Sequence, residues 1–370
     1  MKLSENPFAI LNASPKDDRH RLTEKADEAA LIGGAEVDDA LASLMQMNKR
    51  ITAELNWFPG ADPDTAAAFT AYAEAAAAGR PAKLPPTDGL GSPLAQANAL
   101  AAFFEAWPDS ETDYSIGLCR SMDMVLSAVT MEDTLEQINA DRREGGWEPI
   151  PDTMALAEPL ETRLRELSRT ARARVEKIKG DEELKKFVAS VLTYDGFDPH
   201  GAVGQAITDA YMTSIHDREE RIRNSVTEQV EKLKGGTPTK MELQQLKTSV
   251  GAWSSLTSPV RRYDPRMTRT GQNLCHGMRE TIVQFVNKAP TQPKQLSKTI
   301  PTFNGTRTLT LTYQSRKESA LLAIELSGWL INQFPELPEQ VSQLKKDKDT
   351  LSDIIVREEA DAQSALIKAR

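Results

Sequence analysis

Leu160-Glu161-Thr162-Arg163-Leu164-Arg165-Glu166-Leu167-Ser168-Arg169-Thr170-Ala171-Arg172-Ala173-Arg174-Val175-Glu176-Lys177-Ile178 decides the fold class. Its apolar residues Leu160, Leu164, Leu167, Ala171, Val175 and Ile178 recur in steps of 4, 3, 4, 4 and 3. That period places them on one stripe of a long amphipathic helix, which Gly180 ends. The same pattern runs outward in both directions. Val203, Ile207, Tyr211, Ile215, Ile222, Val226, Val230 and Leu233 mark a second long helix, ended by Gly235-Gly236. Such stripes serve either as coiled-coil seams or, more commonly, as the buried faces of bundle helices. Further helices are expected over 15–32, 36–57, 62–79, 317–334 and 337–368, and across 92–145 with a break at Pro108. Aromatic residues make up only 6% of the chain and alanine is abundant, which also favours packed helices over sheets.

One segment breaks the helical period. Leu296 to Phe303 and Thr306 to Tyr313 alternate apolar and hydroxyl residues around Asn304-Gly305. Asn-Gly suits a type I′ turn, so a β-hairpin is expected, with Pro301 placing its strand at an edge. The expected fold is mainly α: multi-helix bundle domains with one β-hairpin near 296–313. Boundaries are expected between a small helical module over 1–60, a helical segment over 61–145 with a proline-rich linker near 80–91, and a helical domain over 146–370.

Net charge is −9, unevenly spread. Residues 1–160 carry 12 Lys+Arg against 27 Asp+Glu, whereas residues 161–370 carry 33 against 27. An acidic front and a basic back suggest surfaces with different partners, or solvated helix faces that merely differ. Two cysteines, Cys119 and Cys275, form no metal or redox pattern. No apolar signal-peptide core and no run of 18 apolar residues is present, so a cytoplasmic, non-membrane protein of bacterial type is expected.

The N-terminal stretch carries a resemblance. Asn6-Pro7-Phe8-Ala9-Ile10-Leu11 looks like the short first helix of a J-domain with its hydrophobic anchor. Pro15-Lys16-Asp17-Asp18 looks like the turn into the second helix. Arg50, Glu54, Leu55 and Trp57 resemble the residues that close the third. About 55 residues are covered, and a generic helical hairpin is the competing explanation. The family's modules address DnaK-type chaperone ATPases, so the resemblance implies a docking module. Where the family's His-Pro-Asp loop would sit, the chain reads Ile32-Gly33-Gly34-Ala35-Glu36. The second helix is not basic either: Arg19, Arg21 and Lys25 are outnumbered by Asp17, Asp18, Glu24, Asp27 and Glu28. Docking is implied without stimulation of ATP hydrolysis.

Catalytic signals are weak. His20, His200, His216 and His276 show no metal-site spacing; His200 and His216 would lie about 24 Å apart on one helix. Asp195-Gly196-Phe197 lacks every other kinase element and is expected to be a turn. There is no phosphate-binding glycine loop, nucleophile elbow or dinucleotide fingerprint. Cys275 and His276 are adjacent and point to different helix faces. No catalytic residue, metal or cofactor is expected.

Arg261, Arg262, Arg266 and Arg269 around Tyr263 suit phosphate contact and base stacking. Arg163, Arg165, Arg169, Arg172 and Arg174 add charge, although Glu161, Glu166 and Glu176 are spaced to pair with them. The expected role is a non-catalytic adaptor. Phe8, Leu11 and Trp57 would carry the protein-binding module, although Phe8 and Trp57 look more like core than contact residues. The basic body would engage a second protein. The alternative is a nucleic-acid-binding subunit, for example of a stress or phage-defence system, using Arg261 to Arg269.

Overall fold

The computed structural model describes residues 3–32, 36–78, 85, 89–106, 112–234, 236–302 and 305–368. Among them are fifteen α-helices and one two-stranded antiparallel hairpin. The chain divides into two units, Met1–Ser214 and Ile215–Arg370. The division falls inside one helix, Ala202–Lys234, and not near 60, 80–91 or 145.

The N-terminal unit begins with a 3-10 turn, Leu3–Glu5, followed by α1 (Pro7–Ile10), α2 (Arg19–Ile32), α3 (Val37–Met45) and α4 (Met47–Leu55). Next come α5 (Pro63–Ala77), α6 (Pro93–Ala106), α7 (Thr112–Ser127) and α8 (Met131–Glu144). The unit ends with α9 (Thr153–Lys177), α10 (Asp181–Leu192) and the first part of α11 (Ala202–Lys234). Its core contains a chain of aromatic rings. Phe8 meets Trp57 at 5.8 Å, Trp57 meets Phe58 at 5.3 Å, Phe58 meets Phe69 at 5.5 Å and Phe69 meets Phe103 at 5.6 Å. Tilted contacts at these separations match the preferred geometry of aromatic pairs.

Three boundaries differ from the periodicity. The expected helix over 36–57 is two helices, because Gln46 is extended, at φ −98° and ψ 123°. Buried positions lapse between Leu44 and Arg50, so nothing holds that stretch to a single axis. The turn lets α3 pack on α1 and α2 while α4 packs on α9. Helix α9 starts seven residues before Leu160. Asp152 caps it by accepting from the Ala155 N–H at 3.0 Å, and buried Leu156 extends the stripe. Pro159 is tolerated inside it. A further break precedes α8, where Thr130 accepts from the Asp133 N–H at 3.1 Å. The expected stop at Gly33-Gly34, the break at Pro108 and most of the 80–91 linker lie outside the described residues.

The C-terminal unit holds the rest of α11, α12 (Lys240–Thr257), α13 (Pro265–Lys288), the strands β1 (Gln292–Thr302) and β2 (Gly305–Ser315), α14 (Lys317–Gln333) and α15 (Pro338–Lys368). Thr239 and Glu242 form a reciprocal capping box on α12. Trp253 is fully buried and donates its indole N–H to Glu219 at 2.8 Å, stacked near Phe334. The strands are longer than expected, and Thr302 lies opposite Gly305. The turn expected at Asn304-Gly305 includes residue 304, which lies outside the described residues. No described helix is long and apolar enough to cross a membrane.

Candidate docking groove and arginine corner

Asn6 sets the start of the N-terminal module. Its side-chain oxygen accepts from the Phe8 N–H at 3.0 Å, and its amide donates to the Ala53 carbonyl at 2.9 Å. The first contact caps α1 and the second ties it to α4. Phe8 and Leu11 then point inward and are fully buried, and Trp57 is nearly so. Phe8 and Trp57 hold the module together and offer no surface to a partner, which corrects their expected place in a protein-binding surface; Leu11 is part of the same core and reaches a partner only as lining of the groove described next.

The surface lies beside them. After α1 the chain turns at Asn12, whose φ of 47° is left-handed. Lys25 closes this turn by donating to the Asn12 carbonyl at 2.7 Å while pairing with Asp17 at 3.0 Å. The result is a groove of about 520 Å³ between the end of α1, the second half of α2 and the start of α3. Leu11, Ala29, Ile10 and Val37 give it an apolar lining. Ile32 also lines it while remaining 90% exposed, and the neighbouring Leu31 is 89% exposed. Glu28 and Glu36 line it too, and Asp27, Asp38 and Asp39 lie next to them in sequence. The helical period gives no sign of this groove, because it does not tell whether the apolar residues that end the 15–32 helix are buried or exposed.

A buried ion cluster joins α4 to α8. Glu54 accepts from Arg50 Nε at 2.8 Å and from Arg142 Nε at 2.9 Å. Arg50 also donates to the Pro15 carbonyl at 2.9 Å, and its guanidinium lies 3.7 Å over the Trp147 ring. Trp147 donates to the Asp17 carbonyl at 2.8 Å. Burial pushes the Glu54 carboxyl above its ordinary range, against the pull of the two guanidiniums. Arg50 and Glu54 were expected as closing residues of the module; the role of Arg142 had no sequence signal.

The basic surface is smaller than the arginine count suggests. Arg163 is buried and donates to Asn98 at 3.0 and 2.9 Å, while Asn98 donates to the Leu55 carbonyl at 2.9 Å. Arg174 is buried against Ser115 at 2.7 Å. Arg165 pairs with Glu161 at 2.7 Å and Arg172 with Glu176 at 2.8 Å, as their spacing predicts.

In the C-terminal unit, Arg261 is only 3% exposed. It bonds to Glu336, to Ser254 Oγ at 2.9 Å and to the Gln333 carbonyl at 2.6 Å. Its guanidinium also lies 4.6 Å from the Phe334 ring centre. Gly271 makes room for it, since a Cβ there would come within 3.2 Å of Arg261 Cδ. Arg261 therefore belongs to the core, which corrects its expected place in a nucleic-acid surface. Arg262, Arg266 and Arg269 are exposed near the start of α13. Arg266 pairs with Asp264 at 3.2 Å, and Arg262 lies 5.8 Å from the Tyr263 ring.

No described cluster of three or more His, Cys, Asp or Glu residues could hold a metal. Asp195-Gly196-Phe197 is a turn, with Gly196 at φ 84°. His276 is exposed and pairs with Glu280 at 3.2 Å, facing away from buried Cys275. Burial pushes the Cys119 thiol up to about 12 and the Cys275 thiol up to about 11. Both are then protonated at pH 8 and inert. Neither is expected to react with a disulfide reagent in the folded protein, and both should react after denaturation. Rapid labelling of either thiol before unfolding would contradict this. The chain matches no protein-family model, no curated protein and no solved structure.

Proposed function

We propose that the protein is a non-catalytic adaptor whose N-terminal module docks a protein partner through the α1–α2–α3 groove. The observation that carries this reading is the pair Leu31 and Ile32, about nine-tenths exposed beside an apolar groove. Exposing two large apolar side chains in sequence is costly unless something covers them. The acidic residues around the groove define the occupant: an amphipathic helical segment with an apolar face and basic flanks. The resemblance to J-domains supports docking by this part of the chain. It does not extend to ATPase stimulation, because the loop and the basic helix that stimulation needs are absent from the sequence.

The test is co-purification from native cells with nuclease present, followed by cross-linking from Lys25. Leu31→Ser with Ile32→Ser is expected to lose the partner while changing stability by no more than about 0.5 kcal/mol, as exposed substitutions do. The cross-linked segment should be basic and amphipathic. Retention of the partner by the double variant, or cross-links to an acidic segment, would overturn the proposal.

A second reading rests on the exposed Arg262, Arg266 and Arg269 beside Tyr263. It is nucleic-acid binding by the start of α13, with the salt dependence that phosphate contacts impose. Binding that survives replacement of all three would reject it.

A further inference from the structure

The hairpin has two unlike edges. Pro293 lies opposite Gln314 and has no N–H. It cannot belong to a pair that exchanges two hydrogen bonds, so this pair is of the non-bonded kind, as is every second pair along the ladder. Thr299 opposite Thr308 and Ser297 opposite Thr310 share that parity. Their hydroxyls meet at 3.2 and 3.1 Å, consistent with the closer side-chain approach of non-bonded pairs. The main-chain groups of Thr308, Thr310 and Thr312 therefore point away from β1, toward the outer edge of β2. On β1 the outward positions include Pro293 and Pro301, which interrupt that edge. Every outward position of β2 keeps its N–H.

The β2 strand also matches itself. Thr306 to Tyr313 contains no acidic residue and one cation, Arg307. Turned antiparallel on a second copy about Thr310, it sets Thr308 opposite Thr312 on one face. On the other face, Leu309 meets Leu311 and Arg307 meets Tyr313. Hydroxyl on hydroxyl, leucine on leucine and guanidinium on phenol are all favourable cross-strand pairs, and no like charges meet. The hairpin packs on α15, and Ser315 at the end of β2 donates to Glu358 at 3.0 Å, yet Thr308, Thr310 and Thr312 stay exposed; two strands make a small sheet that a further pair strengthens.

We propose that two copies of this chain associate through β2, forming a four-stranded antiparallel sheet with a twofold axis at Thr310. The inference stands apart from the groove and from the adaptor reading.

Light scattering of the full chain over a concentration series tests it. The wild-type protein is expected to be dimeric, with the Thr308, Thr310 and Thr312 amides protected from hydrogen exchange. Thr310→Pro removes only outward N–H groups and should weaken self-association roughly a hundredfold. Ser297→Pro, at the same parity on β1, should remain dimeric. Matching circular dichroism of the two variants would show that the hairpin survives both. A monomer at all concentrations with rapidly exchanging β2 amides would overturn the proposal. So would a dimer indifferent to Thr310→Pro, or amide protection that disappears on nuclease treatment.

Discussion

Glu54→Ala is expected to destabilise the N-terminal unit by roughly 3–5 kcal/mol, the usual cost of leaving buried charge uncompensated. Arg50 and Arg142 are both almost wholly inaccessible and share the Glu54 carboxylate as counter-ion. Removing the carboxylate leaves two like charges facing one another where water cannot screen them. Their remaining contacts to the Pro15 and Glu148 carbonyls hold the guanidiniums in place, so they cannot readily escape to solvent. Hydrogen exchange over 37–60 and 131–150, with urea denaturation, would register the loss. Pairing Glu54→Leu with Arg142→Met should cost less than the sum of the two single changes, because the second substitution removes the charge stranded by the first. A single-variant loss below about 1 kcal/mol would show that water or a side-chain rearrangement reaches the cluster.

This cluster shows where sequence pattern stops being informative. Helix stripes at 160–178 and 203–233 were legible because apolar burial follows the 3.6-residue period of the helix. The hairpin was legible because the alternation of its strands is local. Arginines are ambiguous by the same rules. Arg165 and Arg172 pair with glutamates one turn away, which spacing reveals. Arg163, Arg174 and Arg142 find partners 65, 59 and 88 residues distant, which no local pattern contains. Ile32 is ambiguous in the opposite sense: a large apolar residue at the end of the expected 15–32 helix, it is almost fully exposed. The groove beside it has no local signature, while Phe8 and Trp57, large and aromatic, drew attention to positions that are core. Charge counts by segment likewise overstated the basic surface, since a buried arginine contributes to the count and not to the field outside.

Arg261 gives the second large effect and separates structural from binding arginines. Arg261→Ala is expected to destabilise the C-terminal unit by about 3 kcal/mol or more, because Glu336 would lose its cation and Ser254 and the Gln333 carbonyl their donor. Packing against Phe334 and Trp253 would be lost as well. Replacing Arg262, Arg266 and Arg269 together by alanine should shift stability by only about 0.5 kcal/mol, since all three are exposed and buried Asp264 keeps the Arg266 and Met267 backbone N–H groups as partners. Urea denaturation of both variants, followed by the near-ultraviolet signal of buried Trp253, makes the comparison. Binding of a labelled oligonucleotide across a salt series is then meaningful only for the triple variant. A loss of binding in Arg261→Ala would report unfolding, whereas a loss in the triple variant at unchanged stability would locate a phosphate contact at the start of α13. An Arg261→Ala protein as stable as the wild type would place this guanidinium outside the core after all and restore all four arginines to one surface.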